Sequence, residues 1–425
     1  MTAPPLSDLR RLSRDPLDVL LAAAPHAHEH GVALLAGGRQ PVLLVGDPAL
    51  AVDVLVTRAG SFVKQNVIDT GGAALDARDP TDGPREHARS RRTVAPAFSR
   101  AAVAGHVELV LGCIEDVLAQ PDGNRDILAE LRVLAVRVVG EAILGVAPDD
   151  PRSLAGSAAG IFGAYRFVNS PRSVALALLR ADRLRRSIRG ERGVRSFAAD
   201  AVSRAAAGAT TVPALLTGGG VSADAAAARC VPIFLAGVET TAVALSWALL
   251  HVAADEALQE ELRAEARAAL GARRPTAGDV DTLPLARATF AEALRLYPPS
   301  WYIGRRSLVD LELGGMSVSP GTVVLVSPYV LHRDSRAFAE PDRFDPVRWR
   351  EGTAEQTVDR AYLPFGLGTR RCLGERLAWV EGVLGVALAA RNYRLTPLAP
   401  LPTAEPAATL TPRGGARLRF ELLGS

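Results

Sequence analysis

The chain has 425 residues, 48% of them hydrophobic and 22% charged, a composition typical of a folded globular protein with a substantial core. The formal net charge is only +3 and the cations are almost all arginine, with Lys64 as the single lysine, so nothing here predicts nucleic-acid binding. Cys113, Cys230 and Cys372 lie far apart without a CxxC pair. That spacing argues against a disulfide framework or a zinc site and favours a reducing, cytoplasmic location.

The first 47 residues divide into a leading segment and a pair of strands. The apolar run near the start is too short to cross a membrane, and it lacks a small-residue cleavage site. We expect residues 1–30 to form an N-terminal extension that is partly disordered. The sequence GVALLAGGRQPVLLVGD then predicts two short strands joined by a turn at Gly37-Gly38.

From Arg100 to about Leu270 the spacing of apolar residues predicts a series of helices. One stretch, Val231–Ala254, is apolar enough and long enough to cross a bilayer. Glu239 would lie near the middle of such a span and His251 near one end, and both are costly in lipid. The stretch is therefore predicted to be a buried core helix, and no membrane span is expected.

Beyond Pro298-Pro299 the pattern changes to short alternating runs with β-branched residues between glycine and proline turns, which predicts strands. A loop-rich segment follows, then a core helix after Cys372, and residues 408–423 are predicted to close the chain as a hairpin. The chain has no fixed-period repeat and no low-complexity linker. We therefore predict one mainly α domain over residues 1–425, with a minor β portion.

Cys372 lies in the sequence FGLGTRRCLG, residues 365–374. Gly366 and Gly368 permit positive φ and a close backbone approach. A cysteine at the start of a helix is expected to be stabilised as a thiolate. Such a thiolate is a nucleophile, a redox switch or a metal ligand. The flanking stretch offers no histidine as a base and no companion ligands for zinc, whereas one thiolate is enough as the axial ligand of haem iron.

Five positions of this stretch, those of Phe365, Gly368, Arg370, Cys372 and Gly374, fill the FxxGxRxCxG signature of the cytochrome P-450 family, the haem-thiolate monooxygenases. The resemblance implies the triangular, mostly α fold of that family, in the form of its soluble bacterial members. It also implies heme b as cofactor with Cys372 as the iron ligand. The implied cofactor-binding residues of this loop are Phe365, Gly366, Arg370, Cys372 and Gly374.

Two further segments resemble the Glu-Arg-Arg cluster of that family. Glu292 and Arg295 lie one helical turn apart in TFAEALRLYPP, and Arg348 lies in FDPVRW. The neighbouring Val347 and Trp349 depart from the commonest form of the second segment. The resemblance implies a structural triad that holds the cysteine loop in place.

The segment AGVETT matches the family's oxygen-activation segment, with Glu239 as the acid and Thr240 as the alcohol. Gly237 has no side chain, and we expect this to leave space for a planar cofactor. The Thr240 hydroxyl is expected to bond the carbonyl of Ala236, four residues earlier, and so to loosen the helix locally.

The propionates of a haem require cationic or N–H donors. The family positions correspond to His87 and Arg91, which lie four residues apart on one predicted helix face, and to Arg305 and Arg370.

By resemblance, the reaction inserts one atom of O2 into a lipophilic small molecule, which we expect to be a terpenoid or a polyketide of secondary metabolism. The stretch LRLYPPSWYIGRR resembles terpenoid-modifying bacterial members. The expected substrate segments are residues 66–77, 161–168, 301–304 and 409–411 and part of the long helix. Within them we single out Phe234, Val238, Trp301, Tyr302 and Leu410.

Electrons are expected to come from NAD(P)H through a reductase and an acidic ferredoxin that docks near Arg92, Arg371 and Arg376. The protein is expected to be a monomer. The alternatives are a peroxygenase, a haem-thiolate enzyme that couples substrates oxidatively, and a non-catalytic haem sensor or carrier.

Overall fold

The structure is a computed structural model that describes residues 15–36, 41–65, 84–120, 123–165, 174–349 and 361–423. The predicted turn at Gly37-Gly38, the substrate segment 66–77 and the end of the segment 161–168 lie outside these ranges. The described residues are mainly helical with small sheets, as predicted.

Helices of very different length make up most of the structure. They are α1 (Pro16–His30), α2 (Pro48–Val52), α3 (Pro84–Val94), α4 (Arg100–Gly105), α5 (Val107–Leu118), α6 (Ile127–Val138), α7 (Pro151–Tyr165), α8 (Val174–Ser203), α9 (Val212–Gly218), α10 (Ala223–Ala254), α11 (Glu256–Leu270), α12 (Pro284–Leu296), α13 (Pro328–Leu331) and α14 (Glu375–Asn392). The π-helical segments Asp53–Thr57 and Val139–Leu144 continue α2 and α6, and the 3-10 turns are Ala59–Ser61, Ala95–Phe98, Ala277–Thr282, Pro346–Trp349 and Gly368–Arg370.

The strands are β1 (Val32–Ala36), β2 (Val42–Val45), β3 (Phe62–Lys64), β4 (Gly123–Asp126), β5 (Ile303–Ser307), β6 (Leu311–Leu313), β7 (Met316–Val318), β8 (Val323–Val326), β9 (Tyr393–Pro397), β10 (Ala404–Pro406), β11 (Leu410–Pro412) and β12 (Arg417–Leu422). The largest sheet has the order β1-β2-β8-β5-β3. Its β1 and β2 form the antiparallel pair that the sequence predicts. In the same sheet, β5 is antiparallel to β8 and places Arg305 opposite Val324.

Helix α1 lies within the predicted N-terminal extension and packs on β1. Its first turn is capped by Asp15, whose side chain accepts from the backbone N–H of Asp18 at 3.2 Å, and Pro16 occupies the first helical position. Leu20 and Ala27 are fully buried on its inner face. Part of the predicted extension is therefore a packed helix.

Helix α10 is the long core helix that the sequence predicts. It has 32 residues, and its apolar window has a mean hydropathy of 1.7, which satisfies the length and composition of a membrane span. However, 78% of that window is buried inside the protein. Residues from α6, α8, α12 and α14 pack around it. The helix is thus hydrophobic on nearly all sides because protein surrounds it.

The predicted C-terminal hairpin is wrong. β11 pairs with β10, whereas β12 pairs with β4 on one side and with β9 on the other. Gly414 and Gly415 both have positive φ and turn the chain between β11 and β12. The turn was recognisable from these glycines, but the partners of the two strands are distant in sequence.

Candidate active site: a cavity bounded by the Cys372 loop

A cavity of about 1240 Å³ lies between α10 and the loop that carries Cys372. Cys372 is accessible because it faces this space. Among the described residues, no group of three or more His, Cys, Asp or Glu side chains is placed to hold a metal ion.

The loop before Cys372 is folded tightly. Gly366 and Gly368 have φ of +67° and +68°, a region that side chains disfavour, as the sequence predicts. A Cβ at Gly368 would lie 2.3 Å from the carbonyl oxygen of Leu55, so the close approach is to the protein's own backbone. The Cys372 N–H donates to the Phe365 carbonyl at 2.8 Å and closes the loop.

Cys372 does not lie at the first turn of a helix, because α14 begins at Glu375. Burial raises the pKa of the Cys372 thiol, although the Gly374 N–H and the charges of Arg91 and Arg371 lower it. The expectation that the helix start stabilises a free thiolate is therefore not met. A cation bound in the cavity would favour the thiolate form of this exposed cysteine.

Cys113 and Cys230 are buried, and burial raises the pKa of each thiol to about 12. They are inert core side chains.

The four side chains predicted to hold propionates, His87, Arg91, Arg305 and Arg370, all line the cavity. Arg305 is 7% exposed, and burial together with the charge of Arg370 lowers its pKa to about 10. Two guanidinium groups that repel each other inside the protein are stabilised by an anion between them. This cationic wall and the facing thiol fit a flat dianionic metal complex such as haem.

One face of α10 borders the cavity through Ile233, Ala236, Gly237, Thr240 and Ala244. The Thr240 hydroxyl donates to the carbonyl of Ala236 at 2.6 Å, as predicted. Gly237 has a further structural reason to lack a side chain, because a Cβ there would lie 2.7 Å from the Val139 side chain. Glycine at this position lets the π-helical segment Val139–Leu144 pack against α10.

Glu239 does not line the cavity as far as the described residues define it. It is 1% exposed, and its carboxylate accepts from Arg132 Nε at 2.8 Å and from Arg132 Nη2 at 2.6 Å. No sequence pattern indicated this partner, since 107 residues separate the two.

The predicted triad is assembled on Glu292. Arg295 donates to both of its carboxylate oxygens at 2.8 Å, and Arg348 donates to Oε1 at 3.0 Å. Trp349 adds a donor that the sequence analysis missed, since its Nε1 lies 2.8 Å from Oε2. Arg295 also donates to three backbone carbonyls, those of His332, Pro341 and Arg343. The buried charges are thus surrounded by hydrogen bonds.

The aromatic residues Trp301 and Tyr302 line the cavity, as predicted for substrate contacts, and their rings meet edge to face at 4.6 Å. Three other predicted contacts do not line it. Phe234 packs on Phe197 with ring centroids 5.4 Å apart, Val238 is fully buried, and Leu410 is buried with its carbonyl bonded to Trp247 Nε1. The helical period places 234 and 238 away from the face of 233, 236 and 240. Phe162 and Thr409 line the cavity within the expected segments 161–168 and 409–411. The sequence did not indicate five other lining residues: Phe98, Val139, Ile143, Phe290 and Leu294.

Comparisons with known proteins agree with this geometry. A Cytochrome P450 family profile matches residues 214–420. The chain is 33% identical to cyclooctatin synthase of Streptomyces melanosporofaciens over 91% of this chain and 87% of that protein. It is 30% identical to cyclooctat-9-en-7-ol 5-monooxygenase of the same organism, over 93% and 89%. The crystal structure of CYP175A1 from Thermus thermophillus superposes with a TM-score of 0.76 at 27% identity, covering 97% of both chains. The chain therefore belongs to the cytochrome P450 family and is a cytochrome P450 monooxygenase.

Proposed function

We propose that this monooxygenase inserts one atom of O2 into a lipophilic terpenoid of secondary metabolism. The observation that carries the proposal is that Thr240 and Cys372 border one cavity. Besides its cationic wall, this cavity has an apolar surface that includes Phe98, Ile143 and Leu294. The names of the two Streptomyces relatives also support it, since both refer to cyclooctatin-type compounds.

The proposed cofactor is heme b, held by Cys372 through its iron and by His87, Arg91, Arg305 and Arg370 through its propionates. When bound, it supplies the activation of O2. Phe365, Gly366 and Gly374 belong to the same loop, and their proposed role is to shape the space on the thiolate side.

The protein's own part in oxygen chemistry is proposed to be proton handling at Thr240. Its hydroxyl is fixed by the Ala236 carbonyl and remains at the cavity surface, where it can hold a water or an oxygen atom. Glu239, the proposed acid, is the adjacent residue but is paired with Arg132 and does not line the cavity. Proton supply from Glu239 therefore requires its ion pair with Arg132 to open or to admit water. The Arg132 side chain, which is 18% exposed, leads toward the surface.

Substrate orientation is proposed to depend on Trp301 and Tyr302. The Trp301 indole is fixed by its N–H bond to the Ala407 carbonyl at 2.9 Å, so its ring is a rigid wall. Phe98, Ile143 and Leu294 complete an apolar surface that excludes water and favours a hydrocarbon skeleton.

The proposed electron source is NAD(P)H, through a reductase and a ferredoxin. Arg92, Arg371 and Arg376 are exposed, and Arg371 is the residue directly before Cys372. Arg371 is already paired with Glu375, which reduces the positive charge it offers to a partner. We further propose a cytoplasmic monomer.

The test uses the purified haem-loaded protein. Terpenoids, polyketides and fatty acids are titrated, and the shift of the haem Soret band on displacement of water is measured. The expected result is a saturable shift with terpenoids and, with a surrogate ferredoxin system, one labelled oxygen atom from O2 per product molecule. Product without label indicates oxidative coupling, and turnover with peroxide alone indicates a peroxygenase. Ligand shifts without NAD(P)H consumption indicate a sensor or carrier.

A further inference from the structure

Glu381 is a fully enclosed carboxyl group that the proposed mechanism does not use. It lies on α14, the helix that follows the Cys372 loop, and it is 2% exposed. Together with Gly374, Leu377 and Ala378 it borders the cavity. These residues recur every three or four positions, so they form one helix face directed toward the space beside Cys372.

Within the ranges that the structure describes, the Glu381 Oε2 atom has no hydrogen-bond partner. Two other buried carboxylates have cationic partners: Glu239 is paired with Arg132, and Glu292 with Arg295 and Arg348. A buried carboxyl without a cation or donors is stable only in its neutral form. Burial accordingly raises the pKa of Glu381 to about 8.

The elements around Glu381 offer it little charge. On the neighbouring α5, the thiol of Cys113 is close enough for the charge of Glu381 to raise its pKa. On α12, the ring of Phe290 covers the adjacent Gly382. Several charged side chains of the packed segments are engaged elsewhere: Arg287 over the ring of Trp379, Arg263 with the Ala390 carbonyl, Asp279 with Arg273, and Glu239 on α10 with Arg132. On α14 itself Glu375 is paired with Arg371, and Arg100 on α4 and Arg394 on β9 are exposed to solvent.

We propose that Glu381 is a redox-linked proton site: it takes up a proton from solvent when the iron proposed to bind Cys372 accepts one electron. This inference rests on the proposed haem. In balanced form, a ferric centre, one electron from the reductant, one proton from solvent and the Glu381 carboxylate give a ferrous centre and the Glu381 carboxylic acid.

Electrostatics determines whether reduction raises or lowers the proton affinity of Glu381. An added electron makes the site more negative, and in a low-dielectric interior this disfavours the carboxylate of Glu381. Well below its pKa of about 8, Glu381 is already protonated in the oxidised protein, and reduction adds no proton to it. Above pH 8 the group is ionised in the oxidised protein, so reduction takes up a proton and the reduction potential falls as the pH rises.

The experiment measures the reduction potential of the haem-loaded protein from pH 6 to pH 10, with dithionite as reductant, for wild type and Glu381→Gln. Asp116→Asn, an exposed acid on α5, is the matched control. If reduction raises the proton affinity of Glu381 tenfold, the wild-type potential falls by about 59 mV more than that of Glu381→Gln across this range. Haem propionates are present in all three proteins, so the difference isolates Glu381.

Equal pH dependence in wild type and Glu381→Gln overturns the inference, as does the same loss of pH dependence in Asp116→Asn. If Glu381→Gln does not retain haem, proton uptake by the wild type is measured with a pH indicator during reduction at pH 8.5 and at pH 6.5. Uptake that is larger at pH 8.5 supports the inference, and equal uptake at the two pH values overturns it. A wild type without the red-shifted carbon monoxide band of a thiolate-bound haem contradicts the proposed cofactor instead.

Discussion

The imidazole of His332 accepts a hydrogen bond from the backbone N–H of Leu363, with 2.9 Å between the two nitrogen atoms. Its other ring nitrogen, Nδ1, lies 3.0 Å from the carbonyl oxygen of Arg295. Because Nε2 accepts, Nδ1 carries the proton and donates to that carbonyl. The ring is fully buried, and burial lowers its pKa to about 3, so one neutral tautomer persists at physiological pH. His332 thus joins the Glu292 cluster to the chain that leads into the cysteine loop.

We predict that His332→Leu weakens the connection between the Glu292 cluster and the chain that leads into the cysteine loop. The substitution leaves the Leu363 N–H and the Arg295 carbonyl buried without partners, at a cost of about 1–3 kcal/mol each. We expect a larger fraction of haem without thiolate ligation, measured from the carbon monoxide difference spectrum. His332→Asn is the matched control, because its amide offers a donor and an acceptor and should restore part of the thiolate signal. Equal carbon monoxide spectra for the two variants would contradict the role of the His332 hydrogen bonds in supporting the cysteine loop.

The Glu292 carboxylate provides a second prediction. It accepts from Arg295, Arg348, Trp349 and the Asp345 N–H, and Glu292→Gln leaves the Arg295 guanidinium buried without a counterion. We expect a loss of about 3–5 kcal/mol in the free energy of unfolding. Trp349→Phe removes one hydrogen bond to a charged group and should cost about 1.5–3 kcal/mol. Urea unfolding followed by circular dichroism measures both losses in the free energy of unfolding. If Trp349→Phe loses as much as Glu292→Gln, the prediction that the charged group matters more is wrong.

Thr240 provides a third prediction. Thr240→Ala removes the hydroxyl at the cavity surface while the helix backbone remains, so the proposed proton delivery should fail. We expect NAD(P)H oxidation to continue while product per NAD(P)H falls by about 10²-fold, the low end of general acid–base contributions. Thr240→Ser, which keeps the hydroxyl, should retain most of the coupling. Unchanged product yield in Thr240→Ala would contradict the role.

The sequence predicted those parts of the site that depend on local pattern. The FxxGxRxCxG residues identify the cysteine loop, and the positive φ values of Gly366 and Gly368 follow from glycine at these positions. The bond from Thr240 to Ala236 was predictable because helix geometry fixes the four-residue spacing. In each case the interacting groups are close in sequence.

The sequence did not predict contacts that depend on the relative placement of distant elements. Arg132 meets Glu239 only because α6 packs on α10, and His332 meets Leu363 across 31 residues. The choice of Phe234 for the cavity wall failed because an apolar helix such as α10, buried nearly all round, does not show in its composition which face borders a cavity. Helix α14 is also mostly buried, so its composition did not indicate that Glu381 borders the cavity.

Glu381 provides the last prediction, which concerns stability and does not require an iron site. Its ordinary pKa is 4.5 and burial raises it to about 8, so between these values the folded protein holds a proton that the unfolded chain releases. This contribution to stability is complete below pH 4.5 and is lost as the pH rises toward 8.

Wild type should therefore lose stability relative to Glu381→Gln by about 1.4 kcal/mol for each pH unit in that window. Between pH 6 and pH 8 the expected relative loss is about 2–3 kcal/mol. Urea unfolding of the two proteins at matched haem content measures the difference, with Asp116→Asn as the exposed-acid control. A constant difference between pH 6 and pH 8 would show that Glu381 is already ionised in the folded protein, which requires a cation or donor beside it. In that case Glu381 does not hold a proton in the folded protein near neutral pH, contrary to its raised pKa.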